Sequence, residues 1–293
     1  MPDVIAGDAE GHVTLYTLGR RFSRNTLPAP VSALAAVSNP NAPSRYLVGD
    51  MGGRVASCHA QETIWKVHID AMAAPNSLRP AVAAAATPDV MVNAVCEVWM
   101  PDRHGLLTNY MAVASGHGDI QLFALSMLKH TIPLACPCTC VCPGIFTGGG
   151  RDREDKRLGS GAMQAVLGDE AGRLFVLDNF EVEPYAQLDY PITRVFAVPL
   201  QSLGDRGTGG TDIVVCQTRS DTVFVLHNRR VVATYTSDFW PAVVGVTAEF
   251  GGIGPAIAVV DSGKPGVGGD GGSSSQASIH IVPLCPLLEG VGL

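Results

Sequence analysis

Gly7-Asp8-Ala9-Glu10-Gly11-His12-Val13 returns as Gly49-Asp50-Met51-Gly52-Gly53-Arg54-Val55, and again, with Leu in the last place, as Gly168-Asp169-Glu170-Ala171-Gly172-Arg173-Leu174. Each copy joins a nearly continuous apolar run to an alternating one. An apolar run reads as a strand buried on both faces, alternation as a strand buried on one, and Gly or Asp at the reversal suits a tight turn. Repetition of such hairpins along a chain marks a radial or stacked array.

Further copies keep the frame without the glycines. Met111 to Ser115 followed by Gly118 to Phe123 reads as the same unit with a turn one residue shorter. Ile213 to Gln217 with Asp221 to Leu226 is a fifth copy. Ala256 to Asp261 is a sixth, its partner Ser278 to Val282 delayed by a Gly/Ser insertion. Outer strands are expected at Thr63–Ile69, Tyr185–Leu188 and Arg230–Tyr235, and inner strands at Val31–Val37, Ile192–Val198 and Ala242–Ala248. Four strands per unit is the arithmetic of a blade. The expectation is an all-β fold, a β-propeller with six visible repeats in four-stranded antiparallel blades, forming a single domain over residues 1–293.

The chain opens on the second strand of a blade and closes after the third strand of another. Raw sheet edges are normally avoided, so a seventh blade is expected to complete the array. Inserted loops are expected near 76–89, 144–161 and 261–275. The second holds the charge run Arg151 to Arg157, whose interleaved signs read as a solvated loop.

Apolar residues make up 46% and charged residues 16%, with a net charge of −7 and no basic face. A large core is available, and nucleic acid is disfavoured as a partner. No apolar stretch is long enough for a membrane helix, so direct membrane insertion is not expected. Met1-Pro2-Asp3 leads straight into a strand with no room for a signal peptide, which points to the cytoplasm.

Sites of chemistry are few. Cys136, Cys138, Cys140 and Cys142 occupy every second position, so in an extended strand their thiols share one side about 6 to 7 Å apart. That is a poor tetrahedral zinc site, and a structural role competes with soft-metal binding or thiol oxidation. Cys58, Cys96, Cys216 and Cys285 sit in strand-like runs, where a thiol acts as a small apolar group. The loops at 38–43, 203–210 and 249–254 do not assemble the oxygens calcium needs. The eight histidines form no metal-binding pair, and no nucleophile elbow or phosphate loop is present. Neither catalysis nor a cofactor is expected. Trp65 and Trp99 read as blade-packing aromatics. Phe239 and Trp240, at a corner between blades, are the candidate partner-binding residues.

The stretch from Asp212 to Cys216 and from Thr222 through His227-Asn228-Arg229-Arg230-Val231-Val232 to Tyr235 resembles the integrin-alpha FG-GAP repeat-containing protein 2 family. The turns at Gly7-Asp8 and Gly49-Asp50 are similar to that family's Val-Gly-Asp-x-x-Gly hairpins. Members carry seven repeats and a helical tail, whereas six repeats are visible here. The resemblance implies a propeller subunit of KICSTOR, which tethers GATOR to lysosomes and restrains TORC1 signalling when amino acids are scarce. Its partners would be the other protein subunits, and its place the lysosomal surface. Two alternatives are a BBSome-like ciliary trafficking propeller and a metal or redox protein built on the Cys136 to Cys142 cluster.

Overall fold

The structure is a computed structural model that describes residues 4–37, 45–60, 62–69, 90–147, 163–199, 211–237, 241, 243–247, 255–261 and 278–289. The described strands form six antiparallel sheets. The first holds β1 (Val4–Gly7), β2 (His12–Thr17) and β3 (Arg20–Thr26). The second holds β4 (Val31–Ala36), β5 (Arg45–Asp50), β6 (Arg54–His59) and β7 (Glu62–His68). The third holds β8 (Val92–Pro101), β9 (Leu107–Ser115), β10 (Asp119–Ala124) and β11 (Met127–Pro133). The fourth holds β12 (Cys138–Gly144), β13 (Gln164–Asp169), β14 (Arg173–Asp178) and β15 (Glu181–Gln187). The fifth holds β16 (Ile192–Val198), β17 (Ile213–Thr218), β18 (Thr222–His227) and β19 (Arg230–Thr236). The sixth holds β20 (Val243–Thr247), β21 (Ala256–Asp261) and β22 (Ser278–Pro283), followed by α1 (Leu284–Glu289).

Each sheet is a meander in chain order, so the fold is a β-propeller of six blades. Four blades are four-stranded. The first lacks an inner strand and the last an outer one among the described residues, which is how the ends of the repeat pattern read. Of the expected inserted loops, 76–89 lies outside the described residues, as do 148–161 and 262–275. The chain divides into two compact units. One comprises Met1–Pro143, Arg157–Gln164 and Leu177–Val182; the other comprises Gly144–Lys156, Ala165–Val176 and Glu183–Leu293.

The repeated motif is a single physical device. At Asp8, Asp50 and Asp169 the carboxylate Oδ1 accepts the N–H groups of the residues two and four positions on, at 2.8 to 3.0 Å. The glycine three positions on donates its N–H to the aspartate carbonyl and takes a positive φ of 78 to 84°. A Cβ at Gly172 would stand 2.3 Å from the Leu188 carbonyl oxygen. That closeness has a purpose, because each such turn also anchors the outer strand. The Leu27, Ile69 and Leu188 N–H groups donate to the Gly11, Gly53 and Gly172 carbonyls at 2.8 to 2.9 Å.

The third and fifth blades keep this geometry with other residues. The turn at Ser115 is the same length as the others, not one residue shorter: Ala114 pairs with Ile120 as Gly49 pairs with Val55. Ser115 stands in the aspartate's place, its Oγ accepting the His117 N–H, and Leu134 donates to Gly118. In the fifth blade Thr218 and Ser220 share the task, and Ser237 donates to the Asp221 carbonyl.

Blades also fit face to face. A Cβ on Gly49 would meet Val92 Cγ1 at 2.4 Å, and one on Gly7 would meet Val31 Cγ1 at 2.6 Å. The glycine before the aspartate therefore lets the middle strand of one blade approach the inner strand of the next. The second and third blades close over Leu47, Val55, Val92, Val95, Met111, Val113 and Phe123. In the fifth blade Gln217 takes the glycine's place. Its side chain donates to the Pro241 carbonyl and accepts the Val244 N–H, both at 3.1 Å.

Several elements exceed the sequence reading. The β8–β9 hairpin reaches back to Pro101 and Leu107 through another Asp-x-x-Gly turn, Asp102 to Gly105. The outer strand β15 begins at Glu181 and includes Pro184, which an edge strand tolerates. No periodic pattern is visible in Leu284 to Glu289. Yet α1 buries Leu284 and Leu288, one turn apart, in the core shared with Val244, Ile257 and Val259.

The seam yields a direct test. Gly49→Ala forces a Cβ against Val92 and is expected to cost about 1–3 kcal/mol. Asp50→Ala strips the partly buried N–H groups of Gly52 and Arg54 of their acceptor, for about 1–3 kcal/mol. Urea unfolding reads both, and an unchanged midpoint for Gly49→Ala would show that the seam has slack.

Candidate functional site

Of the cysteine run, Cys138, Cys140 and Cys142 lie on β12, whereas Cys136 precedes the strand in a bend. Cys138 and Cys140 are buried, and Cys136 and Cys142 are half-buried. None of the eight cysteines is in a disulfide. The Cys138 carbonyl accepts the Asn93 side-chain N–H from β8 at 2.8 Å. On that strand burial pushes the Cys96 thiol well above its ordinary pKa, with the nearby Cys142 adding to the effect. A thiol so placed stays protonated at neutral pH and packs as an apolar group. Among the described residues, three ligand-type side chains converge elsewhere, at Asp8, Glu10 and His12, within 4.8 Å of one another. Asp8 already serves its own turn, and the N–H of His12 is the main force holding its carboxyl below the usual range.

Phe239 and Trp240 lie outside the described residues, as do the three loops weighed for calcium. Pro241 is described. With Thr193, Arg194, Gln217, Thr218, Arg219 and Ser220 it lines an open depression of about 460 Å³. Arg219 is engaged there by Glu170 at 3.0 Å. Trp65 packs against the core of the second and third blades, as expected. Its indole N–H is buried without an acceptor among the described residues.

Trp65 also borders a crevice of about 100 Å³ that the sequence did not announce. Leu47, Met111, Phe123 and Leu125 form its apolar walls, and Arg45, Glu97 and Asn109 its polar side. Glu97 accepts from the Asn109 amide and lies 3.9 Å from Arg45, whose Nε donates to Ser57 Oγ. These residues come from β5, β7, β8, β9, β10 and the turn after β10, so no local motif marks them.

The outer hairpins end in tight turns with left-handed residues. Asn179 and Phe180 have φ values of 47 and 68°, and Asn228 and Arg229 have 49 and 65°. Asn tolerates this conformation, and its neighbours find partners. Phe180 stacks against His130 at 4.2 Å and meets Tyr110 edge-on, while Arg229 pairs with Glu183 at 2.9 Å. Leu18 and Leu125 occupy the same place with φ values of 52 and 56°. They are 66% and 68% exposed, so burial does not offset their strain.

The His227-Asn228-Arg229 run that carries the family resemblance is thus the tip of the β18–β19 hairpin. His227 is buried beneath it, its Nε2 2.9 Å from Thr211 Oγ1. Turn chemistry accounts for Asn228, and packing for His227.

No family model matches the chain, and no curated protein matches it. In fold it is similar to the crystal structure of BBS1N in complex with ARL6DN, soaked with lead. The TM-score is 0.60 at 11% identity, covering 96% of this chain and 73% of that one. The mercury-soaked counterpart gives a TM-score of 0.59 at 12% identity, covering 88% and 69%. This likeness shows the propeller fold. Among the described residues no helix is long and apolar enough to cross a membrane.

Burial pushes the His227 pKa below its ordinary 6.5. As pH falls below that value the unfolded chain takes up a proton that the native one resists, so stability present above it is lost on acidification. Burial and Lys129 lower His130 likewise. His227→Gln is expected to flatten part of the fall in Tm between about pH 7 and pH 5. An unchanged slope would assign the acid sensitivity to other groups.

Proposed function

We propose that this chain is a non-catalytic scaffold or adaptor, a propeller whose rim binds other subunits of a multi-subunit protein complex. The observation that carries this reading is the pair Leu18 and Leu125, aliphatic side chains held in a strained backbone conformation and left in water. Leu125 edges the crevice beside Trp65, yet both side chains stay mostly in water, and strain kept for so little burial points to recognition. Rigid blades hold such tips at fixed places, which suits a surface that assembles several proteins.

Within that reading, the Asp212 to Tyr235 stretch supports a KICSTOR-type subunit that acts at the lysosomal surface to restrain TORC1 in amino-acid scarcity. The fold likeness to BBS1N, crystallised with ARL6DN, supports a second reading as a BBSome-like ciliary trafficking propeller. Affinity recovery of the tagged protein from fed and amino-acid-starved cells, followed by mass spectrometry, separates them. KICSTOR and GATOR subunits favour the first, BBSome subunits favour the second, and the chain alone overturns the scaffold reading.

The rim leucines make a sharper prediction. Leu18→Asn and Leu125→Asn relieve left-handed strain and are expected to stabilise the fold by about 1 kcal/mol each while reducing partner recovery. Raised Tm with undiminished recovery would remove these residues from the binding surface.

A further inference from the structure

Among the described residues, the first sheet packs one face and leaves the other largely exposed. Ile5, Leu15 and Ser23 share a row on the packed side, as do Gly7, Val13 and Asn25, and these residues reach the second blade. Ile5 and Val13 join the core around Tyr46 and Val48, Gly7 abuts Val31, and Ser23 and Asn25 donate to the Ala60 carbonyl. The other face carries the rows Val4, Tyr16, Arg21 and Ala6, Thr14, Arg24. Val4 is 57% and Tyr16 38% exposed. Beyond β3 no further strand pairs among the described residues.

The charge on that edge is distinctive. Arg20, Arg21 and Arg24 are exposed, and β3 carries no acid. Elsewhere Arg45, Arg54, Arg173, Arg219 and Arg229 each face a carboxylate. No carboxylate lies within ion-pair distance of the three β3 arginines among the described residues. No other outer strand gathers three: β7 holds Glu62 and Lys66, β15 holds Glu181 and Glu183, and β11 and β19 carry one cation each, Lys129 and Arg230, with no acid. Charge on an edge strand blocks pairing with a second copy. A uniformly cationic edge also accepts a strand of opposite sign.

We propose that β3 is a docking edge for an acidic, extended segment of a partner protein, which adds to the first sheet as a further strand. This rests on the scaffold reading and names the partner chemistry. The β2–β3 bulge gives the spacing. Tyr16 pairs with Arg21, Leu15 with Ser23 and Thr14 with Arg24, so Phe22 is the extra residue. Arg21 and Arg24, three apart in sequence, therefore stand only two rows apart on one face. An added strand meets both with carboxylates at i and i+2, since alternate side chains share a face. Main-chain pairing supplies affinity and the arginines supply charge selection.

The test uses two fluorescein-labelled peptides of identical Val/Thr/Glu composition, one with glutamates two apart and one three apart, and anisotropy with the full chain. The first should bind at least about tenfold tighter, more weakly at high salt, and lose that advantage against Arg21→Glu/Arg24→Glu. Both arginines are exposed, and circular dichroism checks that the variant is folded. A lysine version of the first peptide should prefer the variant. Equal binding of the two glutamate peptides overturns the strand geometry. Arginine-dependent binding of anionic vesicles or of RNA in place of peptide overturns the partner class. Failure of every probe, with aggregation of Arg21→Val/Arg24→Val, assigns the charges to edge protection alone. Undiminished recovery of subunits by the Arg21→Glu/Arg24→Glu protein from cells would sink this edge while leaving the scaffold reading intact.

Discussion

One carboxylate oxygen accepting two backbone N–H groups at a hairpin reversal is the interaction on which the rest depends. Without it the reversal would strand two donors, one of them beside fully buried side chains at Asp50 and Asp169. With it, the chain turns within three residues, the following glycine adopts its left-handed conformation, and its carbonyl is aimed at the outer strand. Middle strand, third strand and outer strand are thus fixed by one local cluster. Where the aspartate is absent, a hydroxyl accepts instead, Ser115 Oγ from the His117 N–H and Ser220 Oγ from the Thr222 N–H, so an acceptor is retained although the residue is not.

The turn also sets how blades meet. It fixes the residue just before it at the level of the next inner strand, and that residue is small where the neighbour is β-branched. Gly7 faces Val31 and Gly49 faces Val92. Gln217 solves the same problem by hydrogen bonding, its amide taking one donor and one acceptor from the chain around Val244. Equivalent positions in a repeat therefore carry equivalent tasks through different chemistry.

What the sequence made legible follows from this. Middle strands such as β5, β13 and β17 are buried on both faces and read as apolar runs, and the turns after β5 and β13 carry the motif. β3 and β11 are outer strands whose polar residues face water, so β3 reads as a charged loop. The Asp102 turn escaped notice because Pro101 precedes it where the other copies have glycine. The helix α1 is six residues long, too short for a periodic pattern to emerge. The crevice around Glu97 gathers residues from five strands, and no linear motif could place Arg45 beside it. Leu18 and Leu125 look ordinary in sequence; only their backbone angles and exposure set them apart.

The bridge made by Gln217 has a thermal consequence. Seams such as that of Gly49 and Val92 depend on apolar contact, whose driving force weakens as water is cooled. A seam held by two amide hydrogen bonds has no such dependence of its own. The joint between the fifth and sixth blades adds those bonds to its own apolar core around Val215, Val244 and Ile257, so on chilling it keeps a part of its cohesion that the seam of Gly49 and Val92 lacks.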